Sequence, residues 1–336
     1  MPLVEASRIR QVAGKALARA GVPADHAAIQ LELLLEAELR GVPSHGLLRL
    51  ERLVHRIANG VADPRARGLH NWRSSAFLSV DGQKGLGPVV ANAALDVAMQ
   101  RARETGVVLV SITNSNHLGM LGWYAQNVAA QGQTLLALTT SEALVHPWGG
   151  RKALIGTNPI AIGVPTGGEP FVMDTATSIV SMGEIHDRAH RGLAIPDHWA
   201  LDADGAPTTD PHRAKQGALA PFGEAKGYAL GLAFELIVTS LAGSAIGTDV
   251  TGTLDATSVC NKGDVFIVID GPRRDLTAYL DALRASEPAQ GFERVLVPGD
   301  RARECRHQRL AQGVPVADDV WERLLALSGR PANLCA

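Results

Sequence analysis

The sequence predicts an α/β fold, with a helical layer built from the N-terminus against a central strand-containing unit. Three observations carry this. The first sixty residues repeat apolar side chains at helical spacing. Residues 107–113, VVLVSIT, form an apolar, β-branched run, followed by a helical pattern and a second such run, TLLALTT. That strand–helix–strand alternation is the α/β signature.

Taken in order, EASRIRQVAGKALARAG sets Ile9, Val12 and Leu17 near one face, and Gly21 is a stop signal. Pro23 suits the first turn of a second helix, with Leu31, Leu33, Leu34 and Leu35 in its body and Gly41 after it. A third helix, starting from a Ser44 cap, carries Leu47, Leu50, Val54 and Ile57 and ends at Gly60. From Phe77 the texture changes. AFLSVDG reads as strand and turn, 88–104 as helix, 107–113 as strand, and 118–130 as helix. Later strands are expected at 159–164, 171–174 and 265–270. Helices are expected at 223–241, 276–286 and 318–327, with a Gly-, Pro- and Asp-rich loop at 195–211. The division that results is a helical unit over 1–72, to which 271–336 returns, and a central α/β unit over 73–270.

The 336 residues are 46% hydrophobic and 20% charged, with a formal net charge of -2. This is a globular composition without the basic footprint of a nucleic-acid binder. No charge-free run long enough to span a bilayer is present, and MPLVEASRIRQ lacks the pattern of a secretory signal. Cys260, Cys305 and Cys335 have no CxxC spacing, which points to a reducing compartment. The expectation is a cytoplasmic protein with no nucleic-acid or membrane partner.

Residues 43–57, PSHGLLRLERLVHRI, gather a hydroxyl, an imidazole and a guanidinium at a helix entrance. Ser is a preferred N-cap, so the pattern by itself fits an ordinary capped helix with a basic side. It also fits chemistry. His45 can move a proton near neutral pH, Arg49 can grip a carboxylate through paired hydrogen bonds, and Ser44 can orient the imidazole. Arg52 lies near the same face. NSNHLGMLGWYAQ places His117 at the end of a buried strand, where free N–H groups of the next helix could accept a phosphate. GTNPIAIGVP, MDTATS and Lys226 at a Gly-flanked helix start are further polar clusters. GLGPVV lacks the third Gly of a dinucleotide fingerprint, so any nicotinamide site is not of Rossmann type. His186 and His190 have metal-ligand spacing on a helix but no evident third ligand, and no metal is expected.

Together, SHGLLRL, SNHLGMLGWYA, GTNPIAIGVP, MDTATS, KGYALGLAFEL, NKGDVFIVID and VPGDRARECR resemble the type 2 malate/L-lactate dehydrogenase family, in the family's order. That family includes sulfolactate, ureidoglycolate and diketogulonate enzymes and cyclic imino-acid reductases. The resemblance implies a non-Rossmann, sulfolactate-dehydrogenase-like fold. Its central cofactor domain is mostly antiparallel, its helical domain comes from both chain ends, and it forms a homodimer. It further implies an NAD- or NADP-dependent oxidoreductase interconverting a 2-oxo acid and a 2-hydroxy acid of malate or sulfolactate type. Reduction of a piperideine or pyrroline carboxylate is the alternative, and a non-catalytic dimeric binding protein a third. By motif, Ser44 and His45 are catalytic, with protonated His45 the donor, ranked above His117. Arg49 and Thr157 meet the substrate. The cofactor falls to His117, Leu118, Gly119, Met120, Leu121, Asp174, Thr175, Ala176 and Lys226, together with a loop of Pro298, Gly299, Asp300, Arg301, Ala302, Arg303 and Glu304. The chain departs from the family at Glu184, where Lys is frequent.

Overall fold

The computed structural model describes residues 1–329, so Cys335 lies outside the described residues. It begins with β1 (Leu3–Val4), α1 (Ala6–Arg19), α2 (Ala24–Leu39), a 3-10 turn (Pro43–His45) and α3 (Leu48–Ala58). Next come β2 (Leu69–Ser74), β3 (Phe77–Gly85), α4 (Gly87–Thr105), β4 (Val107–Ser115), α5 (Leu121–Ala130) and β5 (Thr134–Thr139). They lead to β6 (Ile160–Val164), β7 (Phe171–Thr175), α6 (Met182–His190), β8 (Ala200–Leu201), α7 (Pro211–Ala214) and β9 (Ala218–Leu219). The chain continues through α8 (Ala225–Ala242), a 3-10 turn (Gly247–Asp249), β10 (Asp264–Ile269), α9 (Thr277–Arg284), α10 (Asp300–Gln312), β11 (Val314–Pro315) and α11 (Asp318–Leu327).

A seven-stranded sheet in the order β2-β3-β4-β10-β5-β6-β7 is the centre. Its pairings are antiparallel except β3–β4, which is parallel and joined by the α4 crossover. A mixed α/β fold is therefore observed, with a mostly antiparallel sheet and no doubly wound order. Val110, Ile112, Leu121, Tyr124 and Phe266 fuse α4 and α5 to the sheet in one core. A second core joins Ile9, Leu17, Leu34 and Leu50 to Trp321 and Leu324, and Leu3 pairs with Pro315. Burying each such side chain contributes roughly 1.5–3 kcal/mol. The segment after β10 divides its contacts. Leu276 N and Thr277 Oγ1 donate to Thr166 O beside β6, whereas Arg306 in α10 reaches Glu36 in α2.

Three elements differ from expectation. Strand β2, LHNWRS, is an exposed edge strand without apolar alternation. Residues 298–304 are mostly the first turns of α10 rather than a loop, because DRARECRHQRLAQ is so charged that it shows no helical stripe. Finally, α3 starts at Leu48, not at Ser44.

Helix α8 is the described helix that is long and apolar enough to cross a membrane by length and composition. It also carries Lys226 and Glu235. Glu235 is only 1% exposed. Its carboxylate accepts from Gly156 N at 3.2 Å, Asn158 Nδ2 at 2.7 Å and Gly247 N at 2.6 Å. These bonds anchor GTNP to α8. Glu235→Ala strands three donors in the interior and is expected to cost on the order of 3 kcal/mol. A urea-unfolding midpoint checks this, with Glu235→Gln expected to lose less because one acceptor remains.

Candidate active site

The site starts at the 3-10 turn ahead of α3. Ser44 caps no helix; its hydroxyl lies 2.9 Å from Nδ1 of His45. The turn is held from two sides. Arg49 Nε donates to Ser44 O at 2.8 Å, and Leu47 N donates to Oε1 of buried Glu38 at 2.8 Å. Gly46 is needed here, since a Cβ would come 2.2 Å from that same Glu38 oxygen. Burial pushes the Glu38 carboxyl up to about 7. Helix α6 closes over the turn, with a Cβ at Gly183 falling 3.1 Å from Ser44 Cβ.

The facing wall is the end of β4. Asn116 is buried and ties Arg56 to Lys84 O. The His117 ring centroid lies 5.5 Å from that of His45. His117 Nδ1 accepts the N–H of Gly119 at 2.9 Å, which fixes the neutral ring with its proton on Nε2. GLGPVV has a structural role here: a Cβ at Gly87 would lie 2.3 Å from His117 O.

Burial, reinforced by the charge of Arg49, pulls His45 down to about 3. The same causes, burial first, hold His117 well below its ordinary value. Both shifts favour the neutral imidazole in the free site. Burial and the charge of Arg52 bring even Arg49 down to about 10.

Sequence reasoning missed the strap over this face, residues 252–258. Arg49 Nη1 donates to Thr253 O at 3.3 Å. Arg56 donates to Asp255 O at 2.8 Å and Ser258 O at 3.0 Å, and Asn59 Nδ2 to Ala256 O at 2.9 Å. Glu142 supports the strap from behind, accepting Thr253 N at 2.8 Å and Leu254 N at 2.9 Å. The only sequence signal was the turn chemistry of Asp255, whose carboxylate accepts from Thr257 N and Ser258 N.

The residues expected around a cofactor are placed unevenly. Leu118, Met120 and Leu121 bury their side chains in the core, leaving only backbone for a ligand. Asp174 and Thr175 keep solvent access on β7. Crowding by surrounding protein pushes Asp174 up to about 6. Its Oδ2 accepts Gly122 N at 2.6 Å. An acid thus meets the first turn of α5 and occupies one of its free N–H groups. Lys226 is exposed on the first turn of α8, and Ala176 is half-buried. In the 298–304 stretch, Gly299 takes a left-handed φ of 96°. Asp300 pairs with Arg284 and Arg303, and Glu304 with Arg294. Pro298 and Arg301 are exposed, and Ala302 is half-buried.

Thr157 is held by Ser141, whose hydroxyl is 3.1 Å from its own, and no hydrogen bond joins it to Arg49 or His45 among the described residues. Glu184 accepts Arg188 Nε at 2.9 Å, which offsets its charge near Ser44. His186 and His190 are exposed on α6, and no cluster of three or more His, Cys, Asp or Glu able to hold a metal occurs among the described residues.

A family model described as malate/L-lactate dehydrogenase matches residues 4–325. A solved dehydrogenase from Sinorhizobium meliloti superposes with a TM-score of 0.94 at 52% identity, covering 97% of this chain and 98% of that one. L-sulfolactate dehydrogenase of Methanocaldococcus jannaschii is 36% identical over 84% of each chain. Delta(1)-pyrroline-2-carboxylate reductase 1 of Burkholderia ambifaria is 32% identical over 95% of each.

Glu38 generates a pH prediction. Its folded value of about 7 lies above the model-peptide value of 4.5. Between those values the folded state holds more protons than the unfolded one, so stability falls as pH rises through that window. The slope amounts to a loss on the order of 3 kcal/mol. Glu38→Gln keeps an acceptor for Leu47 N without the titration. Unfolding at pH 5 and pH 8 is expected to show a smaller difference in the variant than in the wild type.

Proposed function

The chain belongs to the malate/L-lactate dehydrogenase family, and on that premise we propose which chemistry its site performs. It is an oxidoreductase that works with a nicotinamide cofactor. Our reading is interconversion of a 2-oxo acid and a 2-hydroxy acid of malate or sulfolactate type. The observation that carries it is the convergence of the Ser44–His45 pair, Arg49 and His117 on one cleft.

Arg49 binds the substrate carboxylate through the guanidinium edge its two backbone bonds leave free. The histidines divide the remaining work. Ser44 can donate or accept, so His45 can hold its proton on either nitrogen and exchange it with substrate oxygen. His117 can take Nδ1 protonation only by losing the Gly119 bond, so it serves as a fixed Nε2–H donor polarising that oxygen. In oxidation, neutral His45 accepts the hydroxyl proton. In reduction, the bound carboxylate offsets the charge of Arg49 and lets His45 carry the proton it delivers.

The nicotinamide supplies or accepts the hydride. Residues present fit its hydrogen-bonding parts: Asp174 and Thr175 are exposed at the end of β7, followed by Ala176, Asp174 meets the start of α5 at Gly122 N, and His117 and Gly119 line the cleft. Lys226 and Arg301, both exposed, are our candidates for its phosphates, and NAD and NADP are both carried forward. Thr157 and the remaining 298–304 residues stay candidates for substrate and cofactor in this reading, although none of them lines the cleft of His45, Arg49 and His117, and Asp300, Arg303 and Glu304 line a separate cavity. We further propose a cytoplasmic homodimer. Leu236, Ile237 and Leu241 of α8 are exposed, as are Leu254 and Val259, and a second copy would cover such apolar side chains.

Oxidation of NADH and NADPH, assayed with oxaloacetate, sulfopyruvate and pyrroline-2-carboxylate, tests this reading. Turnover of an oxo acid above the imine is expected, and turnover of the imine alone sinks it. His45→Asn is expected to lower kcat about 10²–10⁴-fold with cofactor affinity close to wild type. If His117→Asn abolishes turnover while His45→Asn does not, the two roles are exchanged.

A further inference from the structure

Arg49, Arg52 and Arg56 sit at i, i+3 and i+7 on α3, sharing a face. Two of them are occupied: Arg49 by Ser44 O and Thr253 O, Arg56 by Asn116, Asp255 O and Ser258 O. Arg52 makes no hydrogen bond and no ion pair among the described residues, although it is half-buried in the cleft lined by His45, Arg49, His117 and Thr253. The nearby acids are spent elsewhere. Glu51 pairs with Arg323 at 3.0 Å, and Glu142 holds the 252–258 strap. The charge of Arg52 nonetheless reaches inward, helping to depress Arg49 and His117.

A guanidinium half-shielded from water without a protein partner is available to a ligand that supplies one. Positions three apart on a helix put their Cβ atoms about 5–6 Å apart, a gap that a short diacid bridges. We propose that Arg52 is the specificity-determining residue of the site and binds a second anionic group, carboxylate or sulfonate, at the far end of the 2-oxo acid whose own carboxylate Arg49 holds. This rests on the oxo-acid reading above and adds the residue that selects within it. A monoanionic oxo acid or a cyclic imino acid leaves Arg52 unpaired, which is how the site discriminates against them.

The test compares Arg52→Gln and Arg52→Lys with wild type. Steady-state kinetics use oxaloacetate and sulfopyruvate as dianions and pyruvate as monoanion, and a melting curve is recorded for each variant. Arg52→Gln is expected to lower kcat/KM about 10–100-fold more for the dianions than for pyruvate, mainly through KM, with Arg52→Lys recovering part of the loss. The relative loss for oxaloacetate and sulfopyruvate shows whether carboxylate or sulfonate is preferred. Equal losses on dianions and monoanion, or no loss, overturn the proposal. Thermal-shift titration with succinate and butyrate provides a readout without turnover. Selective loss of succinate binding in Arg52→Gln upholds the role of Arg52 even if wild type reduces no oxo acid, the outcome that removes the oxo-acid reading alone. Unchanged succinate binding counts against Arg52 whatever the enzyme reduces.

Discussion

The positive face of α3 is the constraint on which the rest of the site depends. Arg49 and Arg56 reach over to backbone carbonyls at Thr253, Asp255 and Ser258, stapling a strap from far along the chain onto the N-terminal helices. Carbonyl oxygens satisfy hydrogen bonds but do not cancel charge. The face therefore stays cationic after the strap is in place, and its charge adds to burial in lowering both histidines. The field that opposes protonation of the free site also draws an acid into it.

The two histidines are nearly equivalent in composition and surroundings, yet they are not interchangeable. A hydroxyl is a reversible partner, whereas a backbone N–H is not. Ser44 can accept from or donate to Nδ1, so His45 keeps this hydrogen bond in either tautomer. Gly119, with its left-handed φ of 78°, directs its N–H into His117 and locks one tautomer. The difference lies in one donor, and in the proposed mechanism it separates a proton carrier from a fixed dipole.

The fold was legible where apolar periodicity is strong. Val107–Ser115, Thr134–Thr139 and Asp318–Leu327 follow their patterns because burial on both faces, or along one stripe, leaves little choice. It was illegible where polarity hides the period, as in α10 and β2, and where tertiary contacts override a local rule. Ser44 looks like a cap, yet Glu38 takes the Leu47 N–H from outside, which frees the hydroxyl for His45. The residues SHGLLRL could be read from sequence as a chemical centre. The strap could not, since residues 252–258 meet Arg49 and Arg56 only through folding, and their contacts are made by backbone.

The same geometry explains why one scaffold can serve both oxo acids and cyclic imino acids. Each substrate presents a carboxylate next to an electrophilic carbon whose attached atom, oxygen or nitrogen, takes a proton. In the proposed mechanism Arg49, His45 and His117 address those shared features and are indifferent to the rest of the molecule. Selection must then come from groups beyond that core. The cleft has two neighbours that differ in kind: Arg52, a charge without a protein partner, and Glu184, an acid already paired to Arg188. A paired acid contributes little net field, while a half-buried unpaired cation keeps the share of its charge that solvent does not screen. Under the proposed role of Arg52, that positive balance beyond the reacting atoms selects the substrate that brings the most negative charge.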